Sequence, residues 1–337
     1  MFFDLNSQAV YDAAERIRGI ARRTRLRHSA ALSEITGTDV YLKLECEQIT
    51  GSFKLRGAYN ALASLAPERR ARGVIAASAG NHGLGIAYAA RALGIPATLY
   101  VPSSAPAVKR DGIVALGATI EATSPDYDHA LARAMAHAER DGVPFVSATS
   151  DPDVIAGQGT AALEILEELE SVRTVIVPVG GAGLLAGFGS LLRAVAPSVR
   201  ILGAQGTRSD AMARSLEAGK VVPVAHENTL ADGLAGDIDD LALDVGKHSL
   251  DLLAIVTEEE IAKAIAWLSR EERLVVEGSG AVGVAALLQK KVYKPEGPVA
   301  VVLSGGNIDK ARHAEIVASD AAQGMRAGTS ATSVSPR

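Results

Sequence analysis

Short apolar runs alternate with longer segments rich in alanine and leucine along most of this chain. Before residue 150, four such runs are predicted as strands: 73–77, 97–101, 119–122 and 144–147. The segments between them have helical periodicity: 82–93, 107–116 and 127–139. Strands that are apolar throughout, without polar alternation, are typical of parallel sheets covered by helices on both faces. The first half of the chain is therefore predicted to be an α/β layer structure.

The same alternation resumes after Asp151. Three helices are predicted there: 159–169, 184–195 and 279–289. Each precedes an apolar run predicted as a strand: 174–178, 200–204 and 298–303. The pattern predicts two doubly wound α/β domains with mostly parallel sheets. In such folds, functional groups lie at the carboxyl ends of the strands.

Composition and charge exclude several classes of protein. The 337 residues are 48% hydrophobic and 22% charged, which suffices for two compact domains. The net charge of -5 and the lack of a basic run argue against a nucleic-acid partner. No apolar stretch reaches the roughly 20 residues of a membrane span, and no signal peptide opens the chain. The only cysteine, Cys46, allows neither an internal disulfide nor a cysteine-based zinc cluster. We expect a cytoplasmic protein that binds neither nucleic acid nor membrane.

Lys54 stands in the segment GSFKLRGA (51–58), directly after an aromatic residue and between two glycines. Lysines normally lie on solvated faces, and on that interpretation Ser52 caps a helix from which Lys54 and Arg56 point outward. A lysine held in a site instead has a lowered pKa, and its amine serves as a nucleophile or Schiff-base partner. The segment alone leaves both interpretations open.

Two glycine-rich loops follow predicted strands and open predicted helices. Residues 181–186 and 278–283 both fit the dinucleotide motif G-x-G-x-x-G/A. That motif requires an acidic residue at the end of the next strand, but the strands here end in Ala204-Gln205 and in Ser304. Free N–H groups at a helix start favour a phosphate, so a site for one phosphate fits better. Tight packing of helix on strand is the alternative role for either loop.

A reactive lysine and a cradle for one phosphate together suggest pyridoxal phosphate, which joins a lysine as an imine and acts as an electron sink. Ser304, at a strand end, offers a hydroxyl that can bond the pyridine nitrogen without forcing a proton onto it. Compared with a carboxylate, a hydroxyl partner implies weaker stabilisation of the substrate carbanion. Weaker stabilisation suits a reaction in which the carbanion promptly loses a β-substituent.

Six motifs occur in order along the chain: 51–57, 78–83, 154–160, 180–184, 231–233 and 304–307. Together they resemble the fold-type II pyridoxal-phosphate enzymes (tryptophan synthase β-like), specifically the threonine/serine dehydratase and serine racemase group. The resemblance extends from Ile17 to His313. We expect no C-terminal regulatory domain after the 304–307 motif, and on that expectation the chain resembles the short catabolic threonine dehydratases.

This resemblance implies a domain division and an assembly. A large cofactor-binding domain would comprise 1–50 and 150–321, and a small α/β domain forming the substrate loop would comprise 51–149. A flexible tail would follow at 322–337. The resemblance also implies a homodimer or homotetramer that acts on a small amino-acid substrate.

The resemblance implies roles for individual residues as well. Lys54 would form the internal aldimine with the cofactor, Phe53 would pack on its ring, and Ser304 would meet the pyridine nitrogen. Asn81 would bond the 3-hydroxyl. The phosphate would be held by the first glycine loop: Gly180, Gly181, Ala182, Gly183 and Leu184. Two positions would line the ring: Gly233 and Glu277. The substrate would contact Thr149 and the loop that binds its carboxylate: Ser78, Ala79, Gly80, Asn81 and His82.

Two departures from the family concern the reaction and a metal. Serine racemases have a second serine where Ala79 stands, and it serves as proton donor on the ring face opposite the lysine. Alanine cannot do this, so elimination is favoured over racemisation. Several relatives bind magnesium or calcium through a Glu and an Asp at the positions of Gln205 and Ala211. Since a hard cation needs carboxylate oxygens, we expect no metal there, although Asp210 is close by.

A third departure concerns the substrate. Relatives usually carry Pro followed by Phe, Tyr or Asn where this chain has Ala148-Thr149-Ser150. The leading prediction is a pyridoxal-phosphate-dependent ammonia-lyase that dehydrates L-threonine or L-serine to a 2-oxo acid and ammonia. The smaller, more polar wall keeps open a dehydratase of another β-hydroxy amino acid, such as 3-hydroxyaspartate or a hydroxylated diamino acid. A serine racemase and a non-catalytic cofactor- or nucleotide-binding module are the remaining alternatives.

Overall fold

The computed structural model describes residues 6–225 and 227–330. The helices are α1 (Ser7–Ile17), α2 (Ala30–Thr36), α3 (Lys54–Ser64), α4 (Pro67–Arg70), α5 (Asn81–Leu93), α6 (Ala107–Ala115), α7 (Tyr127–Asp141), α8 (Pro152–Glu168), α9 (Gly183–Val195), α10 (Ala211–Ala218), α11 (Asp240–Ser249), α12 (Glu258–Glu271), α13 (Gly278–Leu288) and α14 (Lys310–Ser330). The strands are β1 (Leu26–His28), β2 (Val40–Lys43), β3 (Val74–Ala77), β4 (Ala97–Pro102), β5 (Thr119–Ser124), β6 (Thr174–Pro178), β7 (Arg200–Gly206), β8 (Leu252–Val256) and β9 (Val299–Val302). Within these ranges no helix is long and apolar enough to cross a membrane.

The described strands form two sheets. The larger has the order β1-β2-β9-β6-β7-β8, in which β1 pairs antiparallel with β2 and all other neighbours are parallel. The smaller has the order β3-β4-β5 and is parallel throughout. This arrangement confirms the predicted α/β class with mostly parallel sheets.

Neighbouring residues of the central strands enter opposite apolar cores. In β9, Val299 and Val301 belong to one cluster, whereas Ala300 and Val302 belong to the cluster on the other face. Strand β3 of the smaller sheet alternates in the same way between two clusters. Because both faces are covered, these strands carry apolar residues at every position, which is the pattern seen in the sequence.

The helix predicted at 159–169 begins earlier in the structure, at Pro152. The Asp151 side chain accepts hydrogen bonds from the N–H groups of Asp153 and Val154 and so caps α8. The glycines of this segment obscure its helical periodicity, but they have a packing role. A Cβ on Gly157 would lie 2.5 Å from the Cα of Gly57 in α3, so α3 and α8 approach each other closely only without it.

The strand predicted at 144–147 is reduced to a single bridge between Phe145 and Ile75. The reason is local, because the Ser147 hydroxyl accepts hydrogen bonds from the N–H groups of Thr149 and Ser150 and turns the chain. At the other end of the chain, the tail predicted from residue 322 begins inside α14. Residues 331–337 of that tail lie outside the described residues.

Candidate active site

The loop after β9 and the start of α3 are joined by backbone contacts. Ser52 forms an antiparallel bridge with Gly305, and the Phe53 N–H donates to the Ser304 carbonyl at 3.1 Å. Helix α3 thus begins beside the carboxyl end of β9, in the large sheet, while it packs on α5 and α8. This junction brings the Lys54 motif and the Ser304 motif together, although they are far apart in sequence.

Lys54 is the first residue of α3, and its side chain is half-buried. Its Nζ donates to the carbonyl oxygen of Ala148 at 3.1 Å and lies 5.1 Å from the centroid of the Phe53 ring. Burial lowers the pKa of Lys54 to about 8. Among the described residues no carboxylate forms an ion pair with it. A large fraction of the amine is therefore neutral near pH 8, which is the form that acts as a nucleophile or base.

Arg56, two residues after Lys54 in α3, is completely buried. Its Nε donates to Glu45 at 2.8 Å, and its guanidinium also donates to Glu164 at 2.7 Å. Lys43 donates to the same Glu164 carboxylate at 2.6 Å. The interpretation in which Arg56 points into solvent is therefore wrong. These buried ion pairs fix the first turn of α3, and with it Lys54, against α8 and against the 3-10 turn at Glu45 that follows β2.

The first glycine loop connects β6 to α9. Ala182 has a left-handed backbone (φ 64°), and α9 begins at Gly183 without a side-chain cap. A Cβ on Gly181 would lie 2.6 Å from the Thr149 methyl, and one on Gly180 would lie 2.8 Å from the Cα of Leu234. Within the described chain no hydrogen bond from the backbone N–H groups of 180–185 is found. An uncapped helix start with open N–H groups suits a phosphate.

The second glycine segment has a packing role. A Cβ on Gly283 in α13 would lie 2.9 Å from a Val301 methyl of β9, and one on Gly278 would overlap the Leu230 carbonyl. After α9, strand β7 ends in Gln205 and Gly206, without a carboxylate. The dinucleotide alternative therefore gains no support from the geometry at either loop.

Asn81, the first residue of α5, contacts Glu277 across the site. Its Nδ2 donates to the Glu277 carboxylate at 2.7 Å. Burial and, to a smaller extent, the nearby Asp232 raise the pKa of Glu277 to about 7, against the opposing effect of the Asn81 hydrogen bond. Glu277 stands just before α13, and its carboxylate lies against Gly305, where a Cβ would overlap it. The Glu277 carboxylate therefore contacts two parts of the site, the Asn81 amide and the loop after β9.

Replacing Glu277 by Gln should change the pH dependence of stability in the cofactor-free protein. The folded-state pKa of about 7 lies above the ordinary value of 4.5, so between these values the folded chain binds the extra proton. Glu277 alone should therefore lower the free energy of unfolding by about 3 kcal/mol as pH rises through this window. His82, whose folded-state pKa is lowered to about 3, contributes an opposing rise that is common to wild type and variant. We therefore expect urea unfolding at pH 5 and pH 8 to show the loss in the difference between wild type and Glu277→Gln. Glu217→Gln, at an exposed helix position, is the control. An equal loss in Glu277→Gln would contradict the assignment.

Ser304 and Gly233 were predicted beside the cofactor ring. Ser304 follows β9 and is buried, with 3% of its surface exposed. Gly233 lies in a short 3-10 turn, and its N–H donates to the Ser279 hydroxyl at 2.9 Å. Ser279 belongs to α13, so this turn is tied to the helix that follows Glu277. The Ser304 and Gly233 backbones are thus held by Phe53 and Ser279, respectively.

The loop from Ser78 to His82 joins β3 to α5. The Ser78 hydroxyl accepts from the Gly80 N–H at 3.2 Å, and Ala79 stands half-exposed between them. His82 Nε2 lies 3.1 Å from the Val146 carbonyl oxygen. Because a carbonyl only accepts, the ring hydrogen is on Nε2. Burial and the charge of Lys54 lower the pKa of His82 to about 3, so the imidazole is neutral. A substrate carboxylate would meet the N–H groups at the start of α5, not a histidine cation.

Thr149 lies between the Lys54 amine and the glycine loop. The carbonyl of the preceding Ala148 accepts from Lys54, and the Thr149 side chain fills the space left by Gly181. The Ser147 and Ser150 hydroxyls bond each other at 2.8 Å. The segment beside Lys54 therefore carries three hydroxyl side chains, those of Ser147, Thr149 and Ser150.

Gln205, one of the two positions considered for a metal, and Asp210 beside the other, Ala211, both have protein partners. Gln205 is buried, and its Oε1 accepts from the Ala213 N–H at 3.1 Å. Both oxygens of the neighbouring Asp210 accept from Arg214 Nε at 2.9 Å. Over the described residues no cluster of three His, Cys, Asp or Glu side chains is arranged to hold a metal ion.

The residues present fit pyridoxal phosphate. Lys54 would supply the amine, the start of α9 the phosphate site, Asn81 a donor for the 3-oxygen and Ser304 a hydroxyl for the ring nitrogen. Ser52 adds an observation that sequence reasoning missed. It does not cap α3, since Phe53 holds that position, and its buried hydroxyl has no partner among the described residues. A buried polar group left unpaired indicates a ligand atom or a water nearby.

Comparisons with known proteins agree with this geometry. The family model described as "Pyridoxal-phosphate dependent enzyme" matches residues 17–305. An L-threonine ammonia-lyase of Thermotoga maritima is 45% identical over 301 residues, which are 89% of this chain and 75% of that protein. Among solved structures, a maize serine racemase matches with a TM-score of 0.88 at 30% identity, covering 95% of this chain and 99% of that one. The processed form of threonine deaminase isoform 2 from Solanum lycopersicum matches with a TM-score of 0.85 at 32% identity, covering 92% of each chain. This chain belongs to the family of pyridoxal-phosphate dependent enzymes.

Proposed function

We propose that this protein is an ammonia-lyase that dehydrates L-threonine or L-serine to a 2-oxo acid and ammonia. The observation that carries the proposal is the environment of Lys54, an amine with a lowered pKa, a carbonyl partner and no carboxylate ion pair in the described chain. The names of the relatives agree, since proteins called L-threonine ammonia-lyase and threonine deaminase are 45% and 32% identical to this chain.

The residues divide the work of this reaction. Pyridoxal phosphate supplies, when bound, an electron sink for the substrate α-carbon. The start of α5 binds and orients the substrate carboxylate through its N–H groups. Lys54, as a neutral amine, takes the α-proton, and neutral His82 adds no second positive charge beside it. The β-hydroxyl departs as water, and hydrolysis of the product consumes one water and releases ammonia and the 2-oxo acid.

A second candidate is the dehydration of a larger or more polar β-hydroxy amino acid. The observation that favours it is the small polar wall of Ser147, Ala148, Thr149 and Ser150 beside Lys54. A hydroxyl-lined wall offers partners for an additional polar group on the substrate, whereas an aromatic side chain there would fill the space. Serine racemase has less support because Ala79 cannot donate a proton. A non-catalytic module has less support because it would not need the reactive amine of Lys54.

Steady-state assays distinguish the candidates. The holoenzyme is incubated with L-threonine, L-serine, 3-hydroxyaspartate and a hydroxylated diamino acid, and the 2-oxo acid and ammonia are measured for each. We expect the highest kcat/KM with L-threonine or L-serine. A higher value with one of the two larger substrates would select the second candidate. If a cofactor-loaded preparation formed no 2-oxo acid from any of the four, the ammonia-lyase proposal would be wrong.

We expect chelator treatment to leave activity and melting temperature nearly unchanged. The physical reason is that Gln205 and Ala211 provide no carboxylate, and Asp210 is already paired with Arg214. Activity is measured before and after dialysis against EDTA, then again after addition of magnesium or calcium. A severalfold loss that either cation restored would show that a metal binds.

The proposal extends to a cytoplasmic homodimer or homotetramer. The support is the resemblance of the sequence to enzymes with these properties. Sedimentation equilibrium measures the assembly state directly, and a monomer at micromolar concentration would contradict this part of the proposal.

A further inference from the structure

Asn307 follows the Ser304 motif and contacts two other parts of the site. Its Nδ2 donates to the Thr50 carbonyl at 2.8 Å and to Asn81 Oδ1 at 2.7 Å. A backbone carbonyl can only accept, so the Asn307 atom that faces Thr50 must be the amide nitrogen. The orientation of the Asn307 amide is therefore determined, and both of its hydrogens are used.

The room for this side chain comes from Gly51. A Cβ on Gly51 would overlap the Asn307 amide, and Gly51 has a left-handed backbone (φ 76°). The Gly306 N–H also donates to the Gly51 carbonyl at 2.9 Å. Asn307 is thus fastened to the segment that leads into Lys54, although its side chain lies at the surface.

The orientation of Asn307 determines the orientation of Asn81. Asn81 Oδ1 receives a hydrogen from Asn307, and Asn81 Nδ2 donates to the Glu277 carboxylate at 2.7 Å. Turning the Asn81 amide over would bring its nitrogen against the Asn307 nitrogen and its oxygen against the carboxylate, and both hydrogen bonds would be lost. One hydrogen on Asn81 Nδ2 remains for a ligand.

We propose that Asn307 is a positioning residue that, together with Glu277, holds Asn81 as a hydrogen-bond donor toward the 3-oxygen of the bound cofactor. This inference rests on the proposed function, because it assigns Asn81 to that oxygen. A donor that faces an oxygen stabilises its ionised form over its protonated form. Asn307 therefore acts on the cofactor through Asn81 and without touching it.

Absorption spectra of the holoenzyme between pH 5 and pH 10 test the proposal. In Asn307→Asp a carboxylate replaces the donor, so Asn81 turns its nitrogen toward residue 307 and loses its donor to the cofactor. We expect the midpoint of the pH-dependent change in the cofactor band to rise by about one to two pH units. Asn307→Ala removes the donor without adding charge and should give a smaller rise. Asn6→Asp makes the same charge change at an exposed helix cap and should leave the midpoint in place.

Asn307→Asp adds one carboxylate beside Asn81, whereas the other titratable and charged groups nearby are common to all variants: Lys54, His82, Lys109, Asp232 and Glu277. A double-variant cycle therefore separates an effect through Asn81 from a general structural effect. Asn81→Ala alone should raise the midpoint, and adding Asn307→Asp to it should produce no further change. If Asn307→Asp is isolated without cofactor, the proposal is tested by the midpoint of the cofactor band in Asn307→Ala, with and without Asn81→Ala.

Two results would overturn the inference. One is an unchanged midpoint in both Asn307 variants, and the other is an equal shift with and without Asn81. Failure of the proposed function is distinguishable, since it would appear as a wild-type protein without a cofactor band or without 2-oxo-acid formation. A wild-type enzyme with both, and Asn307 variants with the wild-type midpoint, would refute the positioning role alone.

Discussion

Replacing Lys54 by Ala should lower the rate of 2-oxo-acid formation by about 10⁴-fold or more, since a positioned base alone contributes about 10²–10⁴-fold. The same change should abolish the visible absorbance of the covalently bound cofactor. Lys54 is the amine whose burial lowers its pKa to about 8 beside the open start of α9. Borohydride reduction followed by peptide mass spectrometry should mark the Lys54 peptide in wild type.

Two variants control this experiment. Lys220→Ala removes an exposed lysine and should keep both the absorbance and the activity. Lys54→Arg preserves the positive charge but supplies no nucleophilic amine, so it should fail as Lys54→Ala does. A reducible link at another lysine in Lys54→Ala would show that the cofactor is held elsewhere.

The sequence predicted the parallel layers because their strands are buried on both faces. Every residue from Thr174 to Pro178 is buried, and the predicted strand has the same bounds as β6. Two predictions failed for local reasons. The start of α8 was placed too late because glycines that pack against α3 interrupt its helical periodicity, and the strand at 144–147 is cut short by the turn that the Ser147 hydroxyl forms. The strand β8 was not predicted, and only two of its five residues are buried, so its burial pattern is weaker than that of β6.

The residues of the candidate site were predicted one by one from their motifs. The contacts that hold these residues in place were not predicted. Arg56 is buried against Glu164 of α8, which is 108 residues away in sequence, and against Glu45 in the turn after β2, and motif spacing indicates neither contact. The same is true of Asn307, which meets Asn81 from 226 residues away. Motif spacing identifies the groups that contact a ligand, whereas the partners that orient them become visible only in three dimensions.

Incubation with L-serine should give D-serine more slowly than pyruvate, by roughly 10²–10⁴-fold, because no acid is positioned on the ring face opposite Lys54. Racemisation needs a proton donor on that face, and the residue that we expect to stand there, Ala79, has only a methyl group. The carbanion then has two outcomes, return of the proton from Lys54 or loss of the β-hydroxyl. Ser304, if it is the hydroxyl partner of the ring nitrogen as proposed, would weaken the electron sink and so favour elimination.

Chiral chromatography and a pyruvate assay on the same reaction measure both rates. Ala79→Ser should raise the D-serine fraction, since its hydroxyl is the proton donor that serine racemases have at this position. Ala79→Val is the matched control, because it adds comparable bulk without an O–H and should not raise that fraction. The neutral imidazole of His82, with its pKa lowered to about 3, is a poor substitute acid at the same loop. D-serine formed by the wild type as fast as pyruvate would mean that another group, or water, protonates the open face, and the dehydratase assignment would then be wrong.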